Sequence, residues 1–173
     1  MSNKLSEQLQ SKGGKDCYFT PSAVVEHIIP YIPQNAIVWC PFDTVDSEFV
    51  KIISRTHRVI YSHIDTGHDY YEFEPEKWDV MISNPPFTAK AKIFERAISF
   101  GKPFALVMTC QWLNDSAPAR LRGTTDRSLE LMFFNKRVHF IDGETGEVNK
   151  KTTFGSAYYC SDFLPRQIMW KTL

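Results

Sequence analysis

Trp78-Asp79-Val80-Met81-Ile82-Ser83-Asn84-Pro85-Pro86-Phe87 is the stretch on which the fold turns. Val80, Met81 and Ile82 form an unbroken apolar run, the pattern of a parallel strand buried on both faces. The run stops at Asn84, because two prolines cannot continue a hydrogen-bonded ladder and Pro85 biases Asn84 away from the helical region. After Thr88, Ala89, Ile93, Phe94, Ala97 and Ile98 share one helical face. Strand, stiff turn and helix in that order put a polar amide and an aromatic ring at the carboxyl end of a strand. In open α/β sheets that is where ligands bind.

The flanking sequence continues the pattern. Ala36–Cys40 and Arg58–Ser62 read as strands, with Phe49, Val50, Ile52 and Ile53 as the inner face of a helix between them. Upstream, Tyr18-Phe19-Thr20-Pro21 opens a helix with Thr20 as N-cap and Pro21 at its first position; Val24, Val25, Ile28 and Ile29 form its apolar face. Downstream, Lys102–Met108 is another buried strand. Leu129–Phe134 reads as a short helix and Arg137–Ile141 as a strand, with Gly143 and Gly146 marking a hairpin turn. Thr152–Cys160 then returns antiparallel, and Gln167–Trp170 forms a last edge strand. The expectation is an α/β chain with a mostly parallel sheet and a carboxyl-terminal antiparallel hairpin. Residues 1–16 read as a flexible lead-in, and 17–173 as a single domain.

Bulk properties narrow the function classes. The 173 residues carry 20 basic and 20 acidic side chains, so any nucleic-acid footprint is local or comes from a partner. No apolar run reaches the roughly 20 residues of a membrane span, and the polar first residues do not resemble a signal peptide. Cys17, Cys40, Cys110 and Cys160 are scattered without a Cys-x-x-Cys pair, which fits reduced thiols of a cytoplasmic protein better than a zinc site or a disulfide framework. No metal is expected.

Asn84-Pro85-Pro86-Phe87 resembles the Asn-Pro-Pro-aromatic motif of AdoMet-dependent amino-methyltransferases, above all the N6-adenine methyltransferases of DNA and RNA. The resemblance covers roughly Tyr18–Tyr159, and its most specific element is this turn. It implies a Rossmann-like class I methyltransferase fold and S-adenosyl-L-methionine (AdoMet) as cofactor. The Asn84 side-chain oxygen and the Pro85 carbonyl are then acceptors for the two hydrogens of the target amine. Phe87 stacks on the base, and Pro86 borders the substrate. Such a task needs acceptors of this kind: an exocyclic amine is a poor nucleophile while its lone pair is delocalised into the ring, and a grip on both hydrogens favours a more tetrahedral nitrogen.

The resemblance assigns further positions. Tyr18, Phe19 and Thr20 would line the cofactor, as an alternative to a plain capped helix. Pro41-Phe42 is retained at the start of the cofactor loop, while Thr44 and Asp46 stand where the family has glycines. Asp43 or Asp46 would meet the methionine amino group of AdoMet, or Asp46 or Ser47 would simply cap the following helix. Asp65, with His63 as a substitute, would take the ribose hydroxyls, and the Asp69-Tyr70 pair would receive the cofactor adenine. The short span between Ser62 and Trp78 implies a lost helix and a sheet of fewer than seven strands. Arg120 and Arg122, in the loop 114–127, would meet phosphate or lie on a plain surface loop. Phe154 and Tyr158 would form a second wall for the target base, or belong to the core. The implied partners are a DNA or RNA substrate and a specificity subunit or second copy, since no separate target-recognition domain is visible. A protein glutamine methyltransferase of the same fold and an inactive methyltransferase-fold binding module are the alternatives.

Overall fold

The structure, a computed structural model, describes residues 18–114, 128–143, 145–150 and 153–173. The lead-in 1–16 and the loop arginines Arg120 and Arg122 lie outside the described residues. Nine strands and three α-helices are described: β1 (Tyr18–Phe19), α1 (Ser22–Glu26), β2 (Ile37–Cys40), α2 (Glu48–Ile53), β3 (Arg58–Tyr61), β4 (Val80–Ser83), α3 (Lys90–Ser99), β5 (Phe104–Thr109), β6 (Glu130–Phe134), β7 (Ile141–Asp142), β8 (Ser156–Ser161) and β9 (Ile168–Lys171).

Seven strands form one sheet in the order β3-β2-β4-β5-β8-β6-β9, and β1 pairs separately with β7. The first four are parallel to one another. β8 runs antiparallel between β5 and β6, and β9 lies parallel to β6. Every residue of β4, β5 and β8 is buried, as expected for central strands covered on both faces.

Helices cover both faces. Val24 and Val25 of α1, with Phe49 and Ile53 of α2, pack on Val38, Val80, Ile82, Ala105, Val107 and Tyr158. On the opposite face α3 lays Ile93, Phe94 and Ala97 on Trp39, Met81, Phe104 and Tyr159. That second layer is strongly aromatic: Trp39 lies 5.2 Å from Trp78 and 5.6 Å from Phe100, ring centre to ring centre. Ser47 caps α2, its hydroxyl accepting from the Phe49 amide at 3.2 Å.

Four expectations need correction. The sheet is not reduced: the chain from Ser62 to Asp79 adds no strand beside β3, but β9 extends the opposite edge and brings the number to seven. Residues 130–134 are a strand rather than a helix, because the slot beside β8 buries Leu131 and Met132 on opposite faces. The antiparallel partner of β8 on that side is therefore β6. Residues 137–141 do alternate, with Val138 and Phe140 buried and Arg137 and His139 exposed, but only Ile141–Asp142 joins a ladder, with Phe19 and Tyr18. Thr20 does not cap α1; Pro21 occupies the N-cap position, and no side chain bonds the helix end.

Candidate active site

β2 leads outward to β3 on one side, and β4 leads to β5 on the other. The carboxyl ends of β2 and β4 therefore flank the point where the winding reverses, the usual ligand crevice of a doubly wound sheet. Two loops leave there: 41–47 after β2, and the Asn84-Pro85-Pro86 turn after β4.

Asp43 ties them together. Its carboxylate is buried and accepts hydrogen bonds from the Ser47 hydroxyl on one oxygen and the Ser83 hydroxyl on the other. Its amide donates to the Ser62 carbonyl at 3.2 Å, just past β3. A single residue thus links three strand ends and the cap of α2, immediately before Asn84. Burial raises the Asp43 pKa to about 6, against the opposing pull of the two hydroxyls. With both oxygens engaged inside the protein, Asp43 is a pin of the crevice floor; Asp46, on the same loop, is the exposed carboxylate. Pro41 is buried at the root of this loop.

Asn84 is half-buried, with its side-chain oxygen shielded from solvent. Pro85 is buried and Pro86 exposed; the chain then tightens into a 3-10 turn at Phe87–Ala89 that enters α3. Phe87 is half-buried and meets Phe154 edge to face at 5.6 Å and Phe140 at 6.1 Å. The turn and the chain entering β8 thereby bring the half-buried rings of Phe87 and Phe154 together at one rim of the crevice, backed by the buried ring of Phe140. Phe140 was not foreseen as part of this group, although its place in the alternating run 137–141 was the available signal.

The remaining candidates separate into rim and core. Thr20 is buried, and its hydroxyl has no hydrogen-bond partner among the described residues. Tyr18 and Phe19 form β1, with the Phe19 side chain exposed. Asp65 is exposed in the 3-10 turn Ile64–Thr66 after β3, its carboxylate 3.3 Å from His63 Nδ1. Along the same rim, Val45, Tyr61 and Ile64 expose apolar surface. Asp69 is half-buried and folds its carboxylate back onto the Tyr71 amide at 2.9 Å. Tyr70, by contrast, is a core residue: it is 3% exposed, packs on Phe42 at 4.6 Å, and donates its hydroxyl to the Ile93 carbonyl. Tyr158 is also core, fully buried with its hydroxyl donating to Val24 O at 3.2 Å. Phe154 is thus the member of the expected second wall that stands at the rim. Ser47 and Ser83, the partners of Asp43, were not foreseen, since nothing in a sequence tells which hydroxyl will face a buried carboxylate.

No family model matches the chain, and no curated protein matches it. Solved structures do. A Listeria monocytogenes protein provisionally assigned as a class I S-adenosylmethionine-dependent methyltransferase superposes with a TM-score of 0.51 at 11% identity, over 90% of this chain. The fold is that of the class I methyltransferases. This chain spans 65% of that neighbour's length. A release-factor-specific protein-(glutamine-N5) methyltransferase from Alicyclobacillus acidocaldarius gives a TM-score of 0.44 at 10% identity, over 79% of this chain and 88% of its own. Among the described residues no helix is long and apolar enough to cross a membrane, and no cluster of three or more side chains is arranged to hold a metal ion.

Proposed function

We propose that this chain is an AdoMet-dependent methyltransferase acting on the exocyclic N6 amine of adenine in DNA or RNA. The observation that carries the reading is the seating of Asn84-Pro85-Pro86-Phe87 at the carboxyl end of β4, at the point where the winding reverses, beside an aromatic group. The half-buried rings of Phe87 and Phe154 favour a flat acceptor over an aliphatic side-chain amide.

The crevice residues fit a nucleoside-type cofactor. Asp65 would take the ribose hydroxyls, Val45, Tyr61 and Ile64 would lie against the adenosine, and the Thr20 hydroxyl and Asp46 would reach the methionine end. An orphaned buried hydroxyl such as Thr20 Oγ1 is costly to the fold until a ligand bonds it. When bound, the sulfonium supplies an electrophilic methyl group.

The protein's own contribution is orientation. Asn84 Oδ1 and the Pro85 carbonyl accept from the two amine hydrogens, drawing the lone pair out of the ring system toward the methyl. Phe87 holds the plane of the base, and Asp43 fixes Ser83 and so the strand end that carries Asn84. Neither an amide nor a carbonyl is basic enough to keep the proton released after transfer, so it passes to solvent.

The test combines AdoMet calorimetry with transfer of labelled methyl from AdoMet to DNA, RNA and a glutamine-containing peptide, assayed side by side. Incorporation is expected in nucleic acid and is expected to fall about 100-fold or more in Asn84→Ala, the scale seen on removing a polar group from a reacting centre. AdoMet affinity and melting temperature should stay near the wild type. Equal incorporation by both proteins defeats the role of Asn84. Transfer to the peptide alone makes the acceptor an amide, and absence of AdoMet binding leaves a non-catalytic module.

A further inference from the structure

Thr109 closes β5 and Ser156 opens β8, and the two are register partners in the antiparallel ladder. Strand alternation turns both toward the α1 face of the sheet, since Val107 and Tyr158, two residues away on their respective strands, pack in the cluster on that face. The Cys110 amide donates to the Gly155 carbonyl at 2.8 Å. The neighbouring Thr109–Ser156 pair is therefore a non-hydrogen-bonded one, whose Cα atoms stand about 4.5 Å apart with the side chains close together.

Thr109 is 6% and Ser156 5% exposed. Neither hydroxyl has a hydrogen-bond partner among the described residues. Two adjacent buried hydroxyls, each able to donate and to accept, burden the fold unless something bonds them. Ser83 is level with Leu106 in the β4–β5 ladder, so Thr109 lies three residues further along and one strand over. With a rise of about 3.3 Å per residue, that puts it roughly 10 Å beyond the end of β4. The Asn84-Pro85-Pro86 turn projects from this same rim. Phe154, two residues before Ser156, carries the ring that meets Phe87.

We propose that the Thr109 and Ser156 hydroxyls form the polar end of the acceptor pocket and hydrogen-bond the ring edge of the heteroaromatic amine held at Asn84. The assignment rests on the function proposed above and deepens it. Hydroxyls that switch between donor and acceptor suit the ring nitrogens of a nucleobase, read from its far edge while Asn84 holds the amino group. They act as specificity determinants and take no part in bond making.

The experiment uses Thr109→Val, Ser156→Ala and the hydroxyl-retaining Thr109→Ser, with single-stranded oligo-dA and oligo-rA as probes. Labelled-methyl transfer gives KM and kcat for each probe. Fluorescence anisotropy with S-adenosylhomocysteine present gives probe affinity without turnover; calorimetry gives AdoMet affinity, and melting reports the fold. Thr109→Val and Ser156→Ala are each expected to raise probe KM and Kd about tenfold, the worth of one hydrogen bond. AdoMet affinity should be unchanged, and the melting temperature equal or higher, because an unbonded buried hydroxyl contributes nothing to the fold. Thr109→Ser should stay near the wild type. Unchanged probe KM and Kd in both hydroxyl-free variants overturns the assignment. So does a lowered melting temperature with every readout falling together, since that marks a structural role. A wild type that binds AdoMet but methylates neither probe removes the adenine reading itself, and the hydroxyl pair with it. An active wild type with insensitive variants removes the hydroxyl pair alone.

Discussion

A carboxylate buried as deeply as Asp43 is costly unless its oxygens are hydrogen-bonded, and even with Ser47 and Ser83 donating to it the charged form remains disfavoured. Its pKa rises from 3.8 to about 6, which has a definite consequence for stability. Between about pH 4 and pH 6 the folded protein holds a proton that the unfolded chain has already released, so on this residue's account stability falls as pH rises through that window. Below it both states are protonated, and above it both are ionised, so the contribution is level on either side. Asp43→Asn removes the titration while keeping an oxygen to accept from one serine. Urea unfolding of the two proteins at several pH values should show the stability difference moving in favour of the variant by up to about 3 kcal/mol between pH 4 and pH 7. A difference that does not vary with pH contradicts the assignment of a buried, proton-retaining Asp43. Activity should nonetheless fall in the variant, because the amide replaces one of the two acceptors that pin Ser83 and Ser47.

At the scale of elements, the β8–β9 connection depends on Glu130. This buried side chain, at the start of β6, accepts from the Phe163 amide at 3.0 Å and the Leu164 amide at 2.6 Å. It thereby stabilises a turn in which Asp162 takes a left-handed conformation with φ of 51°. Glu130→Ala strands two buried amides and should cost about 2–4 kcal/mol in denaturant unfolding. Glu130→Gln retains an acceptor oxygen and should recover most of that loss; equal destabilisation by both would show that packing, not hydrogen bonding, fixes the turn. The same element shows where sequence stops being informative. Glu130-Leu131-Met132-Phe133-Phe134 contains good helix formers, and its strand state is imposed by a slot between β8 and β9 that exists only once distant segments meet. Local pattern did suffice for β2 to β5, where short apolar runs end at prolines, glycines or polar residues, and for the turn carrying Asn84. It could not separate Tyr70 and Tyr158 from rim aromatics, because a buried tyrosine with a carbonyl partner and an open stacking ring have the same neighbours in sequence. The Thr109–Ser156 pair was legible only in part: alternation along residues 104–109 gives the face of Thr109, but its partner depends on the register of β8.

On the scale of the whole molecule, the charge distribution sets how the chain would hold the polyanion of the proposed substrate. The 20 basic and 20 acidic residues cancel. α3, which follows the Asn84 turn, carries Lys90, Lys92 and Arg96, but Arg96 is turned inward. Its Nε donates to the Tyr70 carbonyl at 2.7 Å, and its guanidinium lies 4.8 Å from the centre of the Phe100 ring. Under the proposed function, Lys90 and Lys92 are therefore the members of that helix that would meet phosphate. A single strand neutralised at two or three phosphates releases few counterions, so affinity should depend only weakly on salt. Anisotropy titrations of oligo-dA should weaken by about tenfold between 50 and 200 mM salt, against the roughly thousandfold or greater loss of proteins that make six to ten phosphate contacts. Replacing Lys90 and Lys92 together by Gln should flatten the slope further without altering AdoMet affinity. A steep slope in the wild type that survives this double change would move the phosphate contacts elsewhere on the chain. Contacts that depend little on salt are what the proposed site, reading one base through an amide, two aromatic rings and two hydroxyls, would require, since stacking and hydrogen bonding to a base release no counterions.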